Sequence, residues 1–387
     1  MDGCGEFIGR DDRGGSVVAP VKKPVHGGDV YAASRELGRD VTELIDFSAS
    51  INPLGPSPKV WRAITRARHL VPHYPDPECW DLRLALATRW HCAPGQILVG
   101  NGSMELIYVI PRALKINHLL LVQPTFSEYA ASMARAGGRV TTVGADRDEQ
   151  YALPIDRLCR LLEQPTKGYR TIDGILLCNP NSPTGQACGA EDVMKLARAA
   201  QRRGVWLIVD ETFADYCPER SILPLTSPWS RVVVLRSLTK FYGLPGLRVG
   251  YAVAAPTVIQ QLRSELPPWS VNAMGQVAAL AGLHDTAHAK KSFQFVLKER
   301  ARMAKELAGL PGCNLFPAHA NFIFMELPRG WHGGKMTEQL RCEGLLIRDC
   351  SSVPGANRRS IRIAVRSRED NDRLLKSLSR VLSEKRS

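Results

Sequence analysis

A chain of 387 residues with 44% hydrophobic residues is long enough for two packed units and too apolar to be disordered. Its ten cysteines form no CxxC pair and no regular framework, and no apolar run reaches secretory-core or membrane length. This excludes a disulfide scaffold, a structural metal and a membrane span, and predicts a cytoplasmic protein with reduced thiols. The net charge of +13 comes from scattered basic residues without a nucleic-acid motif, so it points to an anionic small substrate before it points to nucleic acid.

Residues 1–24 are rich in glycine and charge and predict a mobile arm without chemistry of its own. The stretch 25–70 carries a proline-rich connector, IDFSASINPLGPSP, and is expected to join a small C-terminal domain. Residues 71–275 read as a larger domain, in which the strand-like runs QILVG, HLLLVQP, RVTTVG, GILLCNP, VWLIVDE, RVVVLRS and LRVGYAVA alternate with helical patterns. Among the latter, GAEDVMKLARAAQRRG sets Val193, Leu196, Ala197 and Ala200 on one face and closes at Gly204. That alternation predicts an α/β fold with a largely parallel sheet covered by helices. Over 276–387 helix-rich sequence gives way to NLFPAHANFIFMEL, LLIRDC and SIRIAVRS, which predict a smaller, more antiparallel sheet.

Three clusters follow apolar strands, at the place where such sheets bind ligands. GNGSME runs from strand to helix and aims backbone amides near Gly102 and Ser103 at an anion, although it is neither a dinucleotide fingerprint nor a Walker loop. VWLIVDET ends a buried strand on Asp210, which either caps a helix or partners a protonated heterocycle such as a pyridinium. RSLTKFYGLPGLRVGY places Lys240 between Ser237 and Thr239 on one side and Arg248 on the other, with Gly243 and Gly246 permitting close approach. An amine nucleophile, an anion cup and a pyridinium partner together make a covalent cofactor site. His284 and His288 have i, i+4 spacing but no third ligand, and predict no metal.

GNGSMELI, PTFSEY, NPNSPTG, VDE and SLTKFYGLPGLRVG occur in the order and spacing of the class I/II aminotransferase group, and over about residues 25–380 the chain resembles these fold-type I pyridoxal-phosphate (PLP) enzymes. The resemblance implies a large domain with a mostly parallel seven-stranded sheet, a smaller α/β C-terminal domain, PLP as cofactor, and a homodimer with shared sites. Lys240 would be the Schiff-base lysine and later proton carrier, and Asp210 the partner of the pyridine nitrogen. Gly102, Ser103, Ser237, Thr239 and Arg248 would hold the cofactor, with Phe126 stacked on the ring and Tyr129 as second candidate. Tyr74 would reach the phosphate of the neighbouring subunit, and Arg362 would grip the substrate carboxylate. Two positions depart from the group: Ser182 stands where asparagine usually precedes Pro-Thr-Gly, leaving Asn181 for that contact, and Phe213 replaces a tyrosine.

Within the group, HGGDVY, IDFSASINPLGPSP, YPDPE and DETFADYCPE most resemble the threonine-phosphate decarboxylases of cobalamin biosynthesis. That branch implies decarboxylation of L-threonine O-3-phosphate to (R)-1-amino-2-propanol O-2-phosphate. His26, Asn52 and Arg348 join Arg362 as substrate-binding candidates, with His26 and Arg348 for the phosphate. The alternatives are an aminotransferase of the histidinol-phosphate type and a decarboxylase of L-serine O-phosphate. A transcription regulator built on the same fold is the further alternative, not expected because the roughly 20-residue N-terminal arm is too short for a helix-turn-helix domain.

Overall fold

The computed structural model describes residues 26–164, 172–225 and 229–384; the arm expected over 1–24 lies outside them. All seven strand-like runs are strands, hydrogen-bonded in the spatial order Ile97–Asn101, Val249–Val253, Val232–Ser237, Trp206–Asp210, Gly174–Cys178, His118–Gln123 and Arg139–Gly144. Only Val249–Val253 runs antiparallel to its neighbours. The central runs are apolar throughout because the sheet is covered there on both faces, whereas the edge strand Arg139–Gly144 is largely exposed and more polar. Leu120, Val122, Leu207, Val209 and Val234 face one core layer with helix Ala190–Arg202, while Leu119, Leu121, Ile208, Val233 and Leu235 face another with helix Gly102–Ala113.

One consequence of this topology positions the chemistry. The parallel strands all end at one edge of the sheet, where Asp210 and Ser237 are terminal residues and Gly102 opens its helix. The antiparallel strand begins at that same edge, so Arg248, just before Val249, arrives there too.

A second sheet, antiparallel throughout, orders Arg348–Asp349, Ser360–Ala364, Phe322–Glu326 and Asn314–Leu315. Its core includes Met303 of helix Thr286–Ala308 and Leu374 and Leu378 of helix Arg368–Glu384. Glu326, fully buried, ties it to the large sheet: Arg147 donates from Nε to Oε1 at 2.9 Å and from Nη2 to Oε2 at 2.8 Å, and Arg359 donates to Oε2 at 3.0 Å.

The structure divides the segment 25–70 instead of assigning it whole to the small unit. Ile45–Asp46 pairs in parallel with Leu345–Leu346, and Phe47 enters the small core. Beyond the connector, Ser57 caps helix Pro58–Arg66, whose Val60 joins the large core. A boundary at 275/276 likewise falls inside helix Ala273–Leu283, which starts from its Asn272 cap and buries Ala278 and Ala279 in the large core. No helix among the described residues is long and apolar enough to cross a membrane.

Gly250 sits where backbone meets backbone: a Cβ there would lie 2.3 Å from Ser103 N and 2.8 Å from Gly102 C. Gly250→Ala should therefore cost about 1–3 kcal/mol by overpacking and displace the helix start at Ser103. Gly246→Ala, with open space around the new methyl, should stay within about 0.5 kcal/mol. Denaturant midpoints of the two variants check the contrast.

Candidate active site

A cavity of about 360 Å³ opens at this sheet edge, lined by Ser103, Asp210, Ser237, Lys240, Arg248 and Arg362 among others. The turn carrying Lys240 is fastened from behind by the proline-rich connector. Asn52 N donates to the Lys240 carbonyl at 3.0 Å, and Asn52 Nδ2 donates to Phe241 O at 2.7 Å and to Ser292 Oγ at 2.8 Å. Asn52 thus spends its amide on the fold and does not line the cavity, which corrects its assignment to substrate. Gly243, at φ +68°, lets the turn touch the connector, since a Cβ would lie 2.7 Å from Gly55 C. Burial, and then the positive Arg362 and Arg248, bring the Lys240 amine down to about 8.

Asp210 is buried, and three donors hold its carboxylate: Thr212 N at 2.9 Å and Thr212 Oγ1 at 2.5 Å on Oδ1, and Tyr129 OH at 2.7 Å on Oδ2. Among the described residues no cationic side chain forms an ion pair with it. Burial raises its pKa despite these bonds, so a protonated ring nitrogen is the partner this carboxylate suits. Tyr129 stays protonated, its pKa pushed well above normal by burial and by Asp210. Phe126, edge-on to Tyr129 at 5.5 Å, lines the cavity beside it.

The other end of a PLP molecule needs a phosphate cup, and the residues present fit one. Helix Gly102–Ala113 presents its N-terminus with Ser103 on the cavity. Ser237 Oγ and Thr239 Oγ1 are hydrogen-bonded at 2.7 Å beside it. Arg248, in the left-handed region at φ +55°, lays its guanidinium across Gly102, where a Cβ would lie 2.7 Å from Nη2.

The wall of the cavity departs from expectation at one position. Asn181 is buried with its amide used up, donating to Pro124 O at 2.9 Å and Thr184 Oγ1 at 2.8 Å and accepting from Thr125 at 3.1 Å. Ser182 lines the cavity instead. Its Oγ accepts from Arg362 Nη1 at 2.9 Å, while Arg362 Nη2 donates to Ser48 O at 2.8 Å and the guanidinium lies 4.9 Å from the Phe322 ring centre. Phe213, buried, meets Phe322 edge-on at 5.1 Å. Burial lowers Arg362 to about 10, still cationic at neutral pH. Arg348 reaches the same cavity because it pairs with Arg362 across two antiparallel strands. His26 lines the mouth, its Nε2 2.6 Å from Glu128 Oε1.

Tyr74 is absent from this cavity: it is 81% exposed and stacked on Trp269 at 4.7 Å. Thr212, Ser182, Ser48 and Glu128 are site residues that the sequence reading passed over. All four stood inside quoted motifs, Thr212 two residues after Asp210 and Glu128 directly before Tyr129; nothing in the sequence marked Ser48 as facing the site.

An amine held at about 8 in the fold and near 10.4 when unfolded makes the unfolded chain bind more protons between those values. Stability of the apoprotein therefore rises as pH climbs from about 8 to about 10, and below that window Lys240 carries its full desolvation cost. Lys240→Met should raise apoprotein stability at pH 7 by about 1–3 kcal/mol and flatten this pH dependence, measured by denaturant titration across pH 7–10.5.

With this geometry, comparison with known proteins is specific. The model of the aminotransferase class I and II family matches residues 42–378. The threonine-phosphate decarboxylase of Salmonella typhimurium is 33% identical over 360 residues, covering 92% of this chain and 96% of that one. A histidinol-phosphate aminotransferase from Anaeromyxobacter sp. is also 33% identical, over 372 residues, 94% and 98% of the two chains. The crystal structure of histidinol-phosphate aminotransferase from Sinorhizobium meliloti in complex with pyridoxal-5'-phosphate superposes with a TM-score of 0.81 at 26% identity, covering 92% and 94%. PLP is the cofactor that the family and that complex imply. The strand order, the lysine turn and the matched span agree, and the chain belongs to the aminotransferase class I and II family.

Proposed function

We propose that this protein binds PLP and decarboxylates L-threonine O-3-phosphate, releasing CO₂ and (R)-1-amino-2-propanol O-2-phosphate. The observation that carries this reading is a surplus of basic side chains. Beyond Arg248 at the cofactor phosphate, one cavity holds Arg362, Arg348 and His26, which suits a substrate with both a carboxylate and a phosphate. Histidinol phosphate has the phosphate but no carboxylate, so in the aminotransferase reading the carboxylate on Arg362 would come from the 2-oxoglutarate co-substrate. The likeness to threonine-phosphate decarboxylases over almost the whole chain supports the same choice.

Bound through Lys240, PLP supplies an electron sink for the pair left on Cα when CO₂ departs. The chain's own residues do the rest. Asp210, set by Thr212 and Tyr129, holds a proton at the ring nitrogen. Arg362, fixed by Ser182 and Ser48, orients the substrate carboxylate, and Arg348 and His26 take the phosphate. Lys240 Nζ, released by the substrate amine, returns a proton to Cα, where its lowered basicity favours transfer near neutral pH. Phe213 and Phe322 close this side of the cavity with apolar surface.

The same reading includes a homodimer, in which the exposed Tyr74 reaches the partner's cofactor phosphate. It also includes two domains, with 286–384 and the strand around Ile45–Asp46 forming the smaller.

Purified PLP-loaded protein should release one CO₂ per L-threonine O-3-phosphate consumed while the cofactor stays in its aldehyde oxidation level, and Lys240→Ala should lower turnover by at least about 10³-fold. Absence of CO₂, with histidinol phosphate converting the cofactor to its amine form, would establish the aminotransferase instead. O-phospho-L-serine, one methyl smaller, should differ by about 1–3 kcal/mol in kcat/KM. Mixing Lys240→Ala with Tyr74→Ala chains should restore activity that neither has alone; no restoration would reject shared sites.

A further inference from the structure

Glu128 is a buried carboxylate at the mouth of the cavity with both oxygens engaged. Oε1 lies 2.6 Å from His26 Nε2, and Oε2 accepts the Tyr108 hydroxyl in a short hydrogen bond. Tyr108 comes from helix Gly102–Ala113, whose N-terminus forms part of the cavity, and its ring lies 5.3 Å beneath the Arg135 guanidinium. Burial, and then the bond to Glu128, push the Tyr108 hydroxyl up to about 12, so it remains a donor. Glu128 also begins helix Glu128–Arg135. A carboxylate oxygen at 2.6 Å accepts the proton of His26 Nε2. Nδ1, which has no partner among the described residues, is then the nitrogen available to a ligand. The His26 ring also leans on Phe126, at 5.6 Å.

The backbone beside His26 is anchored independently. Gly28 N donates to Ser48 Oγ at 2.7 Å, and a Cβ on Gly27 would lie 2.3 Å from Ser48 O. Glu128 therefore orients the ring of a segment that other bonds already hold.

We propose that Glu128, braced by Tyr108, is a positioning residue for the phosphate end of the site. It fixes one orientation of the His26 ring through Nε2–H, so that in the imidazolium form Nδ1–H and Arg348 together donate to the substrate phosphate; this rests on the reading of the previous subsection. The arrangement has a sign that a merely structural carboxylate lacks. Paired with His26, the charge of Glu128 is offset; left alone at the mouth, it repels the phosphate.

Steady-state CO₂ release by the PLP-loaded protein, with L-threonine O-3-phosphate and with L-threonine, tests this. Glu128→Ala should raise KM for the phosphorylated substrate about tenfold, the scale of a lost charge-assisted hydrogen bond, with kcat changing less than about threefold and L-threonine unaffected. Glu128→Gln keeps an oxygen for Nε2–H and should recover most of that loss. Tyr108→Phe, which removes one hydroxyl, should raise KM about two- to threefold. In a His26→Ala background, adding Glu128→Ala should leave KM unchanged or improve it. Equal losses on both substrates, a loss confined to kcat, or losses that add in the double variant would overturn the proposal. If wild-type protein releases no CO₂, the decarboxylase reading fails on its own. The variants are then compared by titrating the cofactor absorbance with L-threonine O-3-phosphate in competition with inorganic phosphate. A selective loss of phosphate affinity in Glu128→Ala supports the positioning role, and unchanged affinity rejects it.

Discussion

A carboxylate buried at the end of a central strand, with neutral donors around it, sets the terms for the rest of this site. Asp210 has Thr212 and Tyr129 to satisfy its oxygens but no ion-pair partner among the described residues, and desolvation raises its pKa. Keeping such a group in place requires strands that do not move and a ligand that brings positive charge. The first comes from a sheet buried on both faces, the second from the heterocycle that this family uses.

The same strand ends carry a second set of charges that is internally neutralised. Glu211, fully buried, accepts from Arg236 Nη1 at 3.0 Å, from Ser221 Oγ at 2.5 Å and from Ile222 N at 2.8 Å, and Arg236 also reaches Asp215 at 3.1 Å. Asp210 and Glu211 are neighbours, as are Arg236 and Ser237, so on each strand end one residue serves the cavity and the next joins this network. A buried pair of this kind adds little net stability but is costly to break. Its consequence here is geometric, because it locks the register of the two strands that carry Asp210 and Ser237.

Two connections bring the smaller sheet to that edge. The Glu326 cluster with Arg147 and Arg359 joins the sheets from one side. Arg362 joins them at the cavity, donating from Nη1 to Ser182 Oγ and from Nη2 to the carbonyl of Ser48, whose hydroxyl accepts from Gly28 N and donates to Asp46. Arg362 and the backbone beside His26 are thus tied together through Ser48, although they lie far apart in the chain.

Much of this was legible in the sequence. Six of the seven strands are apolar runs and the seventh, RVTTVG, is a β-branched one, and helix Ala190–Arg202 shows its buried stripe in its periodicity, because these patterns depend on neighbours within a few positions. Lys240, Asp210, Ser103, Ser237 and Arg248 were readable for the same reason, each standing in a short motif directly after such a run. What the tertiary structure decided is where side chains in irregular segments turn. Asn181 faces inward to Pro124 and Thr184 while Ser182 takes the cavity. Asn52 anchors the lysine turn across 189 residues of chain, and Glu128 meets His26 across 102. Helix Pro58–Arg66 packs with the large core although the strand just before it packs with the small one. Outside regular elements no period fixes a side chain's direction, so the nearest unsatisfied partner in space decides it, and that partner is set by the fold as a whole.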